Sequence, residues 1–460
     1  VSDLSAIVKA YDIRGLVGKQ LDAGLVRDFG AAFARLIKSE SASVVVGHDM
    51  RESSPSLAAA FAEGVTSQGV DVVSIGLAST DQLYFASGSL NLPGAMFTAS
   101  HNPAEYNGIK LCRAGAAPVG QDTGLAEIRA AVEQGVPQFQ GAPGTVTERD
   151  VLADYAAYLR DLVDLSAIRP LKVVVDAGNG MGGHTVPTVF GMPSASGALP
   201  PLPIEVVPMY FELDGSFPNH EANPLDPKNL VDLQAKVREV GADAGLAFDG
   251  DADRCFVVDE NGDPVSPSAI TALVATRELA KEPGATIIHN LITSKAVPEI
   301  VAEHGGKVVR TRVGHSFIKA EMARTGAIFG GEHSAHYYFR DFWRADTGML
   351  AALHVLAALG EQDVPLSRLT AEYQRYAASG EINSTVGDQR ARQQAVKDAY
   401  SGRPGVTIEE LDGLSVHLPD GAWFNLRPSN TEPLLRLNVE APTQEAVDAL
   451  AGDVLAIVRG

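Results

Sequence analysis

Cysteine is nearly absent from this sequence: Cys112 and Cys255 are the only two in 460 residues. That excludes a disulfide framework, leaves stability to packing and fits a reducing compartment. Concentrated positive charge is also missing. Lys and Arg number 37 against 57 Asp and Glu, giving a formal net charge of −20. With no dense basic run, neither nucleic acid nor an anionic membrane is an expected partner, and an anionic small substrate needs a local cluster of basic groups. Long apolar runs are lacking too. The longest, around residues 349–359, is broken by His354 and too short to span a bilayer, and residues 1–15 carry no apolar signal core. A cytoplasmic protein is expected.

What is present reads as a multi-domain globular chain, with 45% hydrophobic and 20% charged residues. Three segments share one plan, an apolar Val/Ile-rich run that stops at Gly, Asp or Asn before a helix-like pattern: residues 43–51 (SVVVGHDMR), 171–180 (LKVVVDAGNG) and 285–294 (ATIIHNLITS). Such runs predict buried strands in parallel sheets covered by helices, one α/β domain each. Breakers at Pro137, Gly141, Pro143 and Gly144 place a join near residue 150, and Asn261-Gly262 with Pro264 predicts a turn closing the second unit. Beyond about residue 368, short alternating strands and helical patterns at 389–400 and 444–458 predict an α+β domain.

Four constellations carry chemistry. In FTASHNP, followed by YNGIK, small residues leave the Ser100 hydroxyl open. Asn102-Pro103 predicts a turn, and Asn107-Gly108 a second turn that folds Lys110 back toward it. A serine is a poor nucleophile without a base, metal or cation nearby. In FDGDADR, Asp249, Asp251 and Asp253 alternate; in extended chain they would project to one side, where their repulsion demands a hard cation, Mg²⁺ or Ca²⁺. A calcium EF-hand fails because Arg254 stands where that loop turns on glycine. An Asp-x-Asp phosphatase remains a rival, although Asp253 is unusual for it. In GGEHSAH, Glu332 and Ser334 can bind neighbouring sugar hydroxyls. In RPSNTEP, Arg427 can fork a phosphate while Ser429, Asn430 and Thr431 add donors. Each pattern alone also fits an ordinary polar turn. The glycines 178, 180 and 183 have dinucleotide-fingerprint spacing, but polar Asp176 and Asn179 favour a helix-start turn.

Taken together and in this order, TASHNP, DGDADR, GEHSAH and RPSNTEP resemble the signature loops of the α-D-phosphohexomutase superfamily, and KAYDIRG with GEHSAHYYF most resembles its bacterial phosphomannomutase/phosphoglucomutase branch. The resemblance spans nearly the whole chain. It implies a four-domain α/β architecture around a central cleft: three similar mixed α/β domains at 1–150, 151–260 and 261–366, with the serine, metal and sugar loops, and a C-terminal α+β domain at 367–460 with the phosphate loop. It implies one Mg²⁺ per chain on Asp249, Asp251, Asp253 and the Ser100 phosphate. His101, Lys110 and Arg254 join Ser100 as catalytic candidates. Tyr11, Arg14, His315, Glu332, Ser334, His336, Arg427, Ser429, Asn430 and Thr431 would bind substrate. Ala335 stands where the family motif carries glycine and Val313 where threonine is usual. A third-domain lysine of some relatives aligns with Ile292, and the sequence leaves open whether Lys295 replaces it.

The activity so implied interconverts hexose 1-phosphate and hexose 6-phosphate. Phosphorylated Ser100 donates to the sugar, a hexose 1,6-bisphosphate intermediate and activator turns over, and Ser100 is rephosphorylated. Lys110 would act as base if cationic neighbours and burial lower its pKa. The last domain would close about residues 360–367, and both mannose and glucose phosphates would be turned over. A monomer or weak dimer is expected. A phosphoglucosamine mutase and, more remotely, a metal-dependent sugar phosphatase are the alternatives.

Overall fold

A computed structural model describes residues 4–193, 199–429 and 434–460, and its described residues form four β-sheets. In the first, Ser43–His48 is buried at its four central positions. It runs parallel to Asp71–Leu77 and Gly94–Phe97, as an apolar strand covered on both faces should. Tyr106–Arg113 returns antiparallel beside Gly94–Phe97 and pairs with Ile13–Leu16, so the sheet is mixed.

The same plan recurs twice. Leu171–Asp176 is parallel to Ala244–Phe248 and Ile204–Met209, with Cys255–Asp259 antiparallel at the other side. Thr286–Asn290 is parallel to Lys307–Thr311 and Phe329–Gly331, with Tyr337–Phe339 antiparallel. The turn at Asn261-Gly262 does not leave the second unit: it joins Cys255–Asp259 to Pro264–Val265, an added edge strand of the same sheet. The fourth sheet is antiparallel throughout, from Ala377–Thr385 through Leu434–Ala441, Trp423–Pro428 and Leu414–His417 to Thr407–Glu409. Helices Gln389–Tyr400 and Gln444–Arg459 lie with it. Among the described residues no helix is long and apolar enough to cross a membrane.

One continuous apolar core runs through the first three units, whereas the fourth has a core of its own. The helix Gly348–Gly360, buried at every position, runs within the shared core. Asp81 ties the three units together: buried in the first, it accepts from Tyr155 OH of the second at 2.6 Å and from Thr347 Oγ1 of the third at 2.8 Å. Residues 360–367 do not hang free as a pivot. Arg169 N donates to Gly360 O and Ser367 N to Glu260 Oε2, which fastens the segment to the second unit. The chain departs only after Arg375 and Tyr376, which grip Glu303 and Glu299.

Candidate active site

The strand Gly94–Phe97 ends in the serine loop. Ala99 O accepts from Asn102 N at 2.9 Å and Pro103 O from Tyr106 N at 3.1 Å, so Asn102-Pro103 joins two turns rather than forming one. Ser100 itself sits at φ +49°. This left-handed conformation costs a non-glycine residue about 1–2 kcal/mol. Charge-assisted hydrogen bonds of about 1.5–3 kcal/mol each are large enough to hold it. They come from Arg51, whose Nη2 donates to Ser100 O at 2.9 Å and Asn102 O at 2.7 Å. The result aims Ser100 Oγ at Asp249 Oδ2, 2.9 Å away, with His101 Nδ1 at 3.3 Å.

Residues 249–253 follow the buried strand Ala244–Phe248, but they form a turn, not an extended chain. The three carboxylates converge because the backbone folds back at Ala252, φ +58°, so strand alternation is not what brings them together. Two glycines allow the close packing around this turn. A Cβ on Gly250 would lie 2.3 Å from Ser100 O, and one on Gly180 would lie 2.6 Å from Gly250 O. The glycine segment at 178–183 is thus the helix-start turn that backs the aspartate loop, with Gly178 and Asn179 left-handed before helix Gly182–Phe190.

Asp249, Asp251 and Asp253 are buried, and their ligand oxygens lie within 4.8 Å of one another. At that separation and a protein-like screening, each like-charged pair costs about 3 kcal/mol. Lys110 and Arg254 offset only part of it. Lys110 Nζ donates to Asp251 and Asp253 at 2.7 Å each, and Arg254 Nε to Asp249 Oδ2 at 2.9 Å. Burial, then the neighbouring Asp253 and Asp251, push the Asp249 carboxyl well above the usual range against the pull of Arg254. Asp251 Oδ1 and Asp253 Oδ1 are buried without hydrogen-bond partners among the described residues. Hard oxygen donors, residual negative charge and two orphaned oxygens fit a divalent cation.

Lys110 reaches this cluster from a strand. Asn107-Gly108 is not a turn but part of Tyr106–Arg113, where Gly108 pairs with Arg14 and has no room for a Cβ, which would meet Ile13 O at 2.4 Å. The Lys110 ammonium has carboxylate neighbours as well as cationic ones. Burial pushes its pKa down, but Asp251 and Asp253 outweigh that and hold the ammonium well above its ordinary range. His101 behaves oppositely. Burial first, then Arg254 and Arg14, keep its ring well below the usual value, and Arg254 Nη2 donates to its Nδ1 at 2.6 Å.

A cavity of about 190 Å³ joins these groups, lined by Tyr11, Arg14, Ser100, His101, Lys110, Asp253, Arg254, His315 and His336 among others. Arg14 pairs with Asp12, as a surface pair would, but Nη1 also donates to Asn102 Oδ1 of the serine loop at 2.6 Å. His315 opens helix His315–Thr325 edge-on to Tyr11 at 4.8 Å, and burial, then Lys319, push it down to about 3. Glu332 and Ser334 are not among the residues lining this cavity. Glu332 accepts from Asn290 Nδ2 and Tyr338 OH, while Ser334 Oγ bonds His336 Nδ1 at 3.0 Å. Ala335, where the motif usually has glycine, is left-handed at φ +64°.

In the fourth unit Arg427 Nη2 donates to Glu381 at 3.0 Å and Ser429 N to Leu434 O; neither lines the cavity. Asn430 and Thr431 lie outside the described residues. Lys295 does not line the cavity either: its Nζ donates to Gly421 O at 2.5 Å, at the contact with the fourth unit. The cavity lysine of the third unit is Lys319, buried, 2.8 Å from Asp346 and over the Tyr84 ring at 4.3 Å. Lys319, Asp346 and Tyr84 escaped the sequence, as did Thr80, whose Oγ1 donates to Asp251 at 2.6 Å, and Arg51. The one available hint was the polar end of the first apolar run, HDMR.

Four family models match successive parts of the chain. Models described as phosphoglucomutase/phosphomannomutase α/β/α domains I, II and III match residues 5–138, 153–262 and 266–376, and the C-terminal domain model matches 381–457. A phosphomannomutase of Escherichia coli is 41% identical over 458 residues, covering 98% of each chain. A protein of Xanthomonas campestris described as phosphohexose mutases is 40% identical over 98% of this chain and 99% of its own. The crystal structure of a phosphoglucomutase/phosphomannomutase family protein from Burkholderia thailandensis superposes with a TM-score of 0.88 at 32% identity, covering 99% of this chain and 97% of that one. With four domain models matched in order and these relatives aligned end to end, the chain belongs to the phosphoglucomutase/phosphomannomutase family.

Proposed function

We propose that this chain, a phosphohexomutase by family, interconverts hexose 1-phosphate and hexose 6-phosphate with Ser100 as the phosphoryl carrier. The observation that carries the proposal is the placement of Ser100 Oγ, 2.9 Å from Asp249 and on the wall of a cavity shared by groups of the first, second and third units. Its phosphomannomutase relatives support mannose phosphate as one substrate. Glucose phosphate is the other, because one site must accept the sugar in two orientations and can read C2 only weakly.

Asp249, Asp251 and Asp253, together with the Ser100 phosphate, would hold Mg²⁺. When bound, that ion supplies positive charge to the phosphoryl oxygens. The chain's own groups do the rest. Arg254 and Lys110 add fixed cationic donors at the carrier, stabilising charge during transfer. Lys110 Nζ donates to Asp251 and Asp253, and when those carboxylates hold Mg²⁺ it would be the group placed to take the proton of the attacking hydroxyl. His101, kept neutral and accepting from Arg254 at Nδ1, lies 3.3 Å from Ser100 Oγ and would orient the serine oxygen. Arg14, His315 and His336 face the sugar, with Glu332 and Ser334 orienting the His336 region. Arg427, Ser429, Asn430 and Thr431 would take the phosphate that is not reacting, once the fourth unit closes on the cleft and Arg427 exchanges Glu381 for it. Hexose 1,6-bisphosphate would be both intermediate and activator.

Intact-mass analysis after incubation with hexose 1,6-bisphosphate tests the carrier role. The protein should gain about 80 Da, and Ser100→Ala should not. Conversion of mannose 1-phosphate to the 6-phosphate without stoichiometric release of inorganic phosphate is expected. Stoichiometric release would make the protein a phosphatase instead.

A further inference from the structure

The guanidinium of Arg51 is buried, with the residue 1% exposed, and none of the roles above uses it beyond its hold on Ser100. All five of its N–H donors are occupied. Nε donates to Asp49 Oδ2 at 3.2 Å. Nη1 donates to Pro103 O at 2.8 Å and Tyr106 O at 3.0 Å. Nη2 donates to Ser100 O at 2.9 Å and Asn102 O at 2.7 Å. One side chain therefore collects four carbonyls across seven residues of the serine loop, and the first is the carbonyl of the carrier residue itself.

That carbonyl is clamped from two sides. Arg51 holds it on one, and on the other the Gly250 backbone approaches so closely that a Cβ there would lie 2.3 Å away. With the carbonyl direction set, the left-handed Ser100 backbone has little freedom, and its Oγ stays on the aspartate cluster. Arg51 is in turn anchored. Asp49 takes its backbone N–H at 3.0 Å as well as Nε, and Ser54 Oγ donates to Asp49 at 2.6 Å. The Phe217 ring of the second unit faces the guanidinium at 5.2 Å, and Gly215 leaves room for the Arg51 backbone, which a Cβ would approach to 2.7 Å. The clamp thus joins the carrier loop of one unit to a loop of the next.

We infer that Arg51 is a positioning residue for phosphoryl transfer: it holds the Ser100 loop in the strained conformation that aligns the carrier oxygen with the aspartate cluster. The inference rests on Ser100 being the phosphoryl carrier. A guanidinium suits this task because its donors diverge in a rigid plane, whereas a lysine presents three from a single nitrogen and cannot span four carbonyls. A substrate can still enter and bind when the carrier is misaligned, so the loss should fall on turnover and leave affinity almost untouched. A misplacement of about 1 Å costs roughly 100-fold in rate.

The test compares wild type, Arg51→Lys and the double variant Asp49→Asn/Arg51→Met, which removes both charges so that no lone ion stays buried. Far-UV and near-UV circular dichroism establish which variant is folded. For each folded variant, kcat is expected to fall roughly 30- to 100-fold with KM within about threefold. The rate at which hexose 1,6-bisphosphate adds about 80 Da to the protein should fall by the same factor. If a folded variant keeps both rates within about threefold of wild type, or loses affinity and not turnover, Arg51 is only a structural residue and the inference fails. If wild type itself never gains the mass, it is the carrier role that fails, a different and separately visible outcome.

Discussion

Replacing Gly250 by alanine probes the contact on which the proposed chemistry depends. The added Cβ would lie 2.3 Å from Ser100 O and 3.3 Å from Ser100 C, whereas ordinary contact begins near 3.4 Å. Neither neighbour is the flexible end of a side chain. The serine loop is fixed by Arg51, and the Gly250 loop is backed by Gly180 and by the bond from Met181 N to Gly250 O at 2.9 Å. The two backbones must therefore separate by about 1 Å, which lengthens the path between Ser100 Oγ and the aspartate cluster by a similar amount. Such a displacement predicts a fall in kcat of roughly 100-fold, close to 3 kcal/mol of lost transition-state stabilisation. Overpacking should cost about 1–3 kcal/mol of stability as well. Initial rates of hexose 6-phosphate formation measure the first effect and thermal unfolding the second. Gly452→Ala, in the C-terminal helix with open space around the added methyl, serves as the control and should leave turnover unchanged. If Gly250→Ala retains kcat within about threefold of wild type, the close apposition of the two loops is not what aligns the reaction.

Burial raises the Asp81 pKa from 3.8 to about 6 despite its bonds from Ser79, Tyr155 and Thr347. Its contribution is therefore fully present below about pH 4 and is lost as pH rises through 6, a span of about 3 kcal/mol. Asp81→Asn should flatten that slope, so the variant should gain on wild type in thermal midpoint between about pH 4 and pH 7; parallel profiles would contradict it. Chelation should abolish turnover, with Mg²⁺ restoring it. Added Mg²⁺ at about 100 times its Kd should stabilise the resting protein by about 2.7 kcal/mol in calorimetry, and activity persisting after exhaustive chelation would remove the metal from the account. Lys319→Met should destabilise by about 3–5 kcal/mol because it strands a buried Asp346, whereas Lys295→Ala, at the contact with the fourth unit, should leave kcat within about threefold of wild type. Equal effects on turnover would show that Lys295 also serves the cleft.

Residues adjacent in sequence revealed much of this protein. An apolar run such as VVV before a polar stop is a buried strand wherever it falls, so the centres of the first three sheets could be read from local pattern. The serine loop, the aspartate loop and GGEHSAH stood out by residue type, and became specific only together and in order. What the chain order could not express is how groups distant along it meet. Ser100 and Asp249 lie 149 positions apart, and Lys110 and Asp251 lie 141 apart. Their contact raises the Lys110 pKa, because a pKa depends on the charges that surround a group after folding and not on those that flank it in sequence. Likewise the aspartates converge through a left-handed turn at Ala252, which no periodicity signals. Arg51 gains its meaning only when four carbonyls of another loop arrive around it. Local sequence determined which segments become strands and which residue types are available for chemistry; the tertiary fold alone decided their charge states and alignments, since burial and neighbouring charge exist only once the chain has closed on itself.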